Sequence, residues 1–336
     1  MRSTLSKLLL RLLLTTLSVA VVGGVVLAWW VHRPLALRAP VLDLSIELGT
    51  SPRGVAQAAV EAGVEVDATL LYWWFKVSGS ARQIKAGSYE IESGETPRSL
   101  LLKLSRGEEA LRAVVLVEGW NFRQVRNALK REESLKHDTL GLTNEDIMGR
   151  LNRPDLPAEG RFYPDTYTYA KGTSELALLR RALAAMDKKL EAAWSLRAPG
   201  IAITSPEQAL VLASIVEKET GRGSDRTMIS SVFNNRLRVG MLLQTDPAVI
   251  FGLGDKFDGN LRKRDLLADT PWNTYTRAGL PPTPIAMPGK AALIAAVQPA
   301  ESRALYFVAR GDGSSQFSED LDGHNKAVNR YIRGRN

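Results

Sequence analysis

Residues Leu12 to Val31 run for twenty positions without a charged side chain. At about 1.5 Å rise per residue, a helix of that length matches the roughly 30 Å hydrocarbon layer of a bilayer. Lys7 and Arg11 flank the run on one side, and Trp29 and Trp30 close it on the other, where amphipathic rings favour a membrane interface. A cleaved signal peptide has an apolar core of about 7–15 residues followed by small residues. Here the run is longer and ends in Trp-Trp-Val-His-Arg. The pattern therefore predicts an uncleaved transmembrane anchor over residues 12–31. The short tail of residues 1–11 and the large body after the anchor predict an N-in, C-out arrangement, with the body facing the periplasm or the cell exterior.

Beyond a proline-containing linker at residues 33–40, the polar and apolar positions change period. Leu42, Leu44, Ile46 and Leu48 alternate with polar residues, the mark of a strand. Ser51-Pro52 opens a helix, with Val55, Ala58, Ala59 and Ala62 at helical spacing and Gly63 as its stop. A second helix is expected over Asp67 to Ser78, with Trp73 and Trp74 in the core of a small module. A short strand is expected at Tyr89 to Ile91, and a third helix from Thr96-Pro97 to about Gly107. Residues 41–107 thus read as a compact module of short strands and helices.

Val114 to Val117 predicts a strand, and Phe122–Arg131 and Thr143–Leu151 predict helices. The aromatic stretch EGRFYPDTYTY at 159–169 predicts a structured loop or strand pair. Leu176 to Leu196 is a long amphipathic helix. Residues 108–200 form a connecting region, and 201–336 the core of the main domain. There, Ser205-Pro206-Glu207-Gln208 has the form of a capping box with Pro at N1. The helix that follows is apolar from Ala209 to Val216, so it is buried on most sides. It ends in Glu217-Lys218-Glu219-Thr220 and stops near Gly221.

Those two carboxylates differ in their helical surroundings. Positions three, four and seven back share a face. Behind Glu219 lie Val216, Ile215 and Leu212; behind Glu217 lie Ser214, Ala213 and Leu210. Apolar surroundings raise a carboxyl pKa, and a carboxyl protonated near neutrality can act as a general acid. The plain alternative is a pair of solvated helix-end charges. A conventional glycosidase pair stands roughly 5–10 Å apart across one bond. Two residues apart on a helix means about 200° of rotation, so Glu217 and Glu219 do not face one bond. If the site cleaves sugar chains, one of them works alone, or with a distant partner such as Asp246.

Composition narrows the classes. The net charge is +8, but five of those charges belong to Arg2, Lys7, Arg11, Arg33 and Arg38, leaving +3 on the remaining residues. That is not the concentrated basic face of a nucleic-acid binder. Cysteine is absent, which excludes disulfides and thiolate chemistry. The three histidines, His32, His137 and His324, lie far apart in sequence and give little support to a zinc site.

Several blocks, in order, carry a family resemblance. ASIVEKET at 213–220 resembles the signature of the endolytic murein transglycosylases, which are anchored in the plasma membrane. SVFNNRL at 231–237, GMLLQTDPAVIFGLG at 240–254, WNTY at 272–275, GLPPTPIAMPG at 279–289, LYFVA at 305–309 and HN at 324–325 are similar to further family blocks. So are EG at 118–119 and FYPDTY at 162–167. Ala248, Phe251, Trp272 and Ser315 depart from the pattern, which more often has Thr, Tyr, Tyr and His there.

The resemblance implies an α+β fold: one N-terminal transmembrane helix, a small LysM-like module at 41–107, then an α+β catalytic domain. It implies that Glu219 is the catalytic residue and that peptidoglycan glycan strands are the substrate, cut within the strand to leave 1,6-anhydro-N-acetylmuramic ends. It implies a lyase without cofactor or metal, in the inner (plasma) membrane, with peptidoglycan synthases as candidate partners and no nucleic acid. Gln244, Asp246, Asn235, Asn273 and Tyr275 are the expected substrate contacts. For Asp246 the alternative is a turn cap before Pro247; for Asn235, Arg236, Tyr275 and His324 it is a structural role. The rival function is a non-enzymatic, membrane-anchored glycan-binding or wall-assembly protein.

Overall fold

The computed structural model describes residues 2–219 and 222–334, without the side chains of residues 2–11. Lys7 and Arg11 as flanking side chains, and Gly221 as a helix stop, lie outside the described residues. The chain divides into two compact units, residues 1–112 with 170–172, and residues 113–169 with 173–336.

The first unit begins with α1 (Arg2–Val31). Its stretch Leu12–Val31 is long and apolar enough to cross a membrane. Then come β1 (Val41–Ile46), α2 (Pro52–Glu61), α3 (Ala68–Val77), β2 (Gly87–Glu92) and α4 (Pro97–Arg106). β1 and β2 pair antiparallel, Leu44 opposite Tyr89. Leu42, Leu44 and Ile46 face a core that includes Val55, Phe75, Ile91 and Leu104. Local chemistry sets the helix starts: Ser51 Oγ accepts from Gly54 N–H, Asp67 from Leu70 N–H, and Thr96 forms a reciprocal box with Ser99. Two expectations are corrected. Leu48 lies beyond the end of β1 and is exposed, and Trp73 is exposed on α3, outside the core. The alternation that marks a strand says nothing about where the strand stops. On α3 the core needs only one face, which Leu71 and Phe75 already fill.

The second unit takes in β3 (Leu111–Val115), inside which the boundary falls, then α5 (Phe122–Lys130), α6 (Asn144–Arg150), β4 (Thr166–Ala170), α7 (Glu175–Ser195) and α8 (Pro206–Glu219). It continues through α9 (Arg226–Arg238), α10 (Asp246–Leu253), α11 (Lys263–Leu267), α12 (Lys290–Val297), β5 (Tyr306–Ala309), β6 (Ser315–Ser318) and α13 (Leu321–Tyr331). β3 pairs with β4 and β5 with β6. The aromatic stretch is therefore a loop running into one strand, whose partner is β3. α8 runs through the main core, packed by α7, α9, α10 and α12. α12, KAALIAAV, is apolar almost all round, so it carries no amphipathic period to read, and its small side chains let it lie close to α8.

The start of α8 differs in detail from a standard capping box. Ser205 Oγ accepts from Gln208 N–H at 3.2 Å, while Gln208 Oε1 accepts from Thr204 N–H at 2.7 Å, one residue earlier than the standard pattern. Glu207, next along, binds the buried Arg161 of the aromatic loop. The segment that precedes α7 is thus fastened to the first turn of α8.

Candidate active site

Every residue of α8 from Ala209 to Val216 is buried, so its C-terminal end is delivered from within the core. The two carboxylates there diverge, as their spacing requires. Glu217 Oε2 accepts from Gly289 N–H at 2.9 Å and Glu217 Oε1 from Arg226 at 3.3 Å. A Cβ at Gly289 would collide with the carboxyl of Glu118. Lys218, between the two acids, donates to Gly119 O at 3.2 Å. The Glu118-Gly119 pair and the end of the Pro-rich block therefore meet at Glu217 and Lys218.

Glu219 has a different setting. Thr245 Oγ1 donates to its Oε1 at 2.5 Å, and Thr245 is its hydrogen-bond partner among the described residues. Burial pushes the Glu219 carboxyl up to about 7, and the charge of Asp246 adds to this; the Thr245 hydroxyl and the Arg236 guanidinium oppose it. Burial also raises Glu217, against the Gly289 hydrogen bond and Arg226. Both acids are thus desolvated, and the apolar face behind Glu219 does not alone distinguish them. The difference is that both oxygens of Glu217 are engaged by the protein, whereas among the described residues Glu219 is held at one oxygen by one hydroxyl.

Thr245 is buried, with the exposed Gln244 and Asp246 on either side. Gln244 adopts a left-handed backbone, φ 50°, and its N–H donates to Thr274 O at 3.0 Å. Thr245 N–H donates to Thr274 Oγ1 at 2.9 Å. These bonds clamp 244–245 to 274 and aim the Thr245 hydroxyl at Glu219. Asp246 accepts from Tyr275 Oη at 2.5 Å rather than capping a turn. Burial and Asp246 together raise the Tyr275 phenol. Glu219, Thr245, Asp246, Tyr275 and, through Arg236, Gln244 form one cluster.

Two expected contacts lie behind that cluster. Asn273 is fully buried; its amide donates to Ala268 O at 2.6 Å and Leu266 O at 3.1 Å, and its oxygen accepts from Tyr275 N–H at 2.9 Å. Asn235 donates to Ser302 O at 2.9 Å and Ala304 O at 3.0 Å. Both spend their amide hydrogens on backbone, which fixes the loops around the site. Arg236 donates to Leu305 O at 2.7 Å and Leu243 O at 2.8 Å and lies 5.4 Å from the Tyr306 ring centroid. Tyr306 in turn stacks on His324 at 5.1 Å. Burial and Arg236 push His324 below its usual range.

Sequence reasoning passed over Thr245, although it stands between two residues singled out, and over Glu159. Both Glu159 oxygens face Phe122 N–H, at 3.0 and 3.2 Å, at the start of α5. Burial pushes its carboxyl up to about 7. Glu159 lines a cavity of about 420 Å³ with Phe122, Lys218, Pro247, Ile250 and Phe251. The departures Phe251 and Trp272 touch one another edge to face, with ring centroids 5.5 Å apart. Ala248 is buried, and Ser315 N–H donates to Asp225 at 2.7 Å. Among the described residues no group of three or more His, Asp or Glu is placed to hold a metal ion.

A carboxyl raised in the folded state binds a proton that the unfolded chain has already released. Its ionisation therefore costs stability as pH rises from about 4.5 to about 7. Glu219→Gln removes that cost. The stability of the variant relative to the parent should rise between pH 5 and pH 8, by at most about 3 kcal/mol, and its melting temperature with it. A difference independent of pH, measured calorimetrically, would show that Glu219 titrates normally.

A family model described as YceG-like matches residues 44–330. An endolytic murein transglycosylase of Bacillus subtilis is 30% identical over 312 residues, covering 88% of this chain and 86% of that protein. An endolytic murein transglycosylase of Streptococcus pneumoniae is 25% identical over 329 residues, and the chain spans 59% of its length. The crystal structure of a YceG-like protein of Listeria monocytogenes superposes with a TM-score of 0.55 at 29% identity, over 85% of this chain and 98% of that one.

Proposed function

The chain belongs to the YceG-like family, and on that premise we propose that it is an endolytic murein transglycosylase. The reaction is a lyase reaction: it cuts the bond between N-acetylmuramic acid and N-acetylglucosamine within peptidoglycan strands and leaves 1,6-anhydro ends. The observation that carries this reading is Glu219, a carboxyl with a pKa of about 7, held at one oxygen by Thr245 at the end of a buried helix.

A carboxyl poised near neutrality can both give and take a proton. Protonated Glu219 gives its proton to the glycosidic oxygen as the bond to C1 of the muramic residue breaks. The resulting carboxylate takes the proton of that sugar's C6 hydroxyl, whose oxygen bonds to C1 and closes the anhydro ring. The proton count on Glu219 is restored, and no second carboxylate is needed. That accords with Glu217 being engaged by Gly289 and Arg226. Thr245 fixes the Glu219 oxygen, and the negative Asp246 helps keep Glu219 protonated. Gln244, Asp246 and Tyr275 are placed to meet the sugars, with Asn235, Asn273 and Arg236 as supports.

The strand–helix–helix–strand order of β1, α2, α3 and β2 supports a LysM-like, glycan-binding reading of residues 41–107. α1 is the single-pass anchor in the plasma membrane, with the N-terminus cytoplasmic and the body on the glycan side. Strands emerging from membrane-bound synthases are the substrate such an anchor would meet first, which makes those synthases candidate partners.

The product tests the chemistry. Since a hydroxyl of the sugar replaces water as nucleophile, digestion of purified strands in ¹⁸O-labelled water should give new muramic ends without label, each lighter than a reducing end by one water. Labelled reducing ends in the mass spectrum would mean hydrolysis and would overturn the assignment.

A further inference from the structure

α3 reads ATLLYWWFKV, and it is apolar on two sides. Leu71 and Phe75 fill the core of the first unit, both with no exposed surface. Leu70, Trp73 and Val77 stand at i, i+3 and i+7, one face of the helix, and are 41%, 51% and 67% exposed. A helix apolar on two sides calls for a cover on both, and the first unit supplies only one.

The position of α3 bears on what the cover is. The end of α1 is built into the first unit: Val31 is buried and Trp30 packs against the core. Directly beyond, His32 Nε2 lies 2.9 Å from Arg98 Nη1, on the first turn of α4. The adjacent residue of that turn, Pro97, accepts from Trp74 Nε1 at 3.0 Å. The exit of α1 and the helix α3 thus meet the same turn of α4. Leu102, one turn further along the face of α4 that carries Arg98, is also exposed, at 41%. The side-chain chemistry repeats at both places. Arg33 lies 4.4 Å from the Trp29 ring centroid at the end of α1, and Lys76 lies 4.8 Å from that of Trp73 on α3. Tryptophan with a flanking cation suits the headgroup region, where the ring sits at the interface and the cation reaches anionic lipid.

We propose that Leu70, Trp73 and Val77 of α3 lie in the headgroup interface of the bilayer that α1 enters, so that the first unit rests on the membrane at a second point. This rests on the reading of α1 as the membrane anchor, and not on the catalytic assignment. The occupant is lipid because α3 is continuous, through α4, with the point where the chain leaves the membrane.

The chain contains no cysteine, so single-cysteine variants each carry one spin label. The full chain is reconstituted in phosphatidylglycerol–phosphatidylcholine vesicles with labels at L70C, W73C or V77C. Q57C, an exposed position on α2, reports water, and V22C reports α1. Labels at 70, 73 and 77 should lose collisions with a water-soluble nickel chelate relative to 57 and should remain open to oxygen. Adding Trp73→Asp to the chain labelled at 77 should return that label to water, with circular dichroism unchanged. Labels at 70, 73 and 77 as open to the chelate as 57, with 22 lipid-exposed, would overturn the proposal and leave the face for a protein partner. An aqueous signal at 22 would remove the anchor and the proposal with it.

Discussion

Glu219→Gln should abolish turnover of purified glycan strands while leaving the protein folded. Losing one general acid–base group costs about 10²–10⁴-fold. Here a single carboxyl serves both proton transfers, so the loss should lie at or beyond the upper end. Gln keeps the size of the side chain and an oxygen for the Thr245 hydroxyl, but it has no proton to transfer. Glu217→Gln is the companion. It keeps one acceptor for Gly289 N–H but turns an amide toward Arg226, leaving a partly buried cation without this carboxylate. That should cost about 1–3 kcal/mol of stability, with activity retained when assayed below its melting temperature. An active Glu219→Gln beside an inactive, folded Glu217→Gln would reverse the two roles. Two active variants would move the chemistry to Asp246.

Gly160→Ala should strongly destabilise the second unit. Gly160 has φ +77°, and a Cβ there would run into Pro284, with Cγ at 2.6 Å. The left-handed backbone costs a non-glycine residue about 1–2 kcal/mol, and overpacking a rigid neighbour adds about 1–3 kcal/mol. A proline ring cannot swing aside as a long side chain would, so the costs should add to about 2–5 kcal/mol. Gly149, in α6, is the control. A Cβ there meets nothing within 4 Å, and Gly→Ala within a helix gains up to about 1 kcal/mol. Denaturant midpoints for both variants test the argument, and equal midpoints would sink it.

Much of this protein was legible in its residues because the signals are local. Twenty uncharged positions define a span without any neighbour. Ser51, Asp67, Thr96 and Ser205 start helices through bonds that reach three residues along the chain. The apolar run from Ala209 to Val216 announces a buried helix, and the Glu-Lys-Glu that ends it draws attention to Glu219. The order of the blocks points to the family. Elements without a period escaped: α12 is apolar all round and the β5–β6 hairpin is short, so neither leaves a repeating pattern.

The assignment of roles within the site was decided only by tertiary structure. A helical face reports the three residues behind a carboxyl, and by that measure Glu217 has the more polar setting of the two acids. Desolvation, however, is a property of everything packed around a group, and burial raises both. What separates them is the partners they reach across the chain: Thr245, 26 residues on, for Glu219, and Gly289, 72 residues on, for Glu217. Asp246 meets Tyr275 across 29 residues, and Asn273 turns inward to hold the loop it was expected to present. Propensity, caps and periodicity act within a few residues, so they determine where helices form and which faces are apolar. Which side chains converge on one carboxyl depends on how those helices pack, and that is set by contacts too distant in sequence for any local pattern to encode.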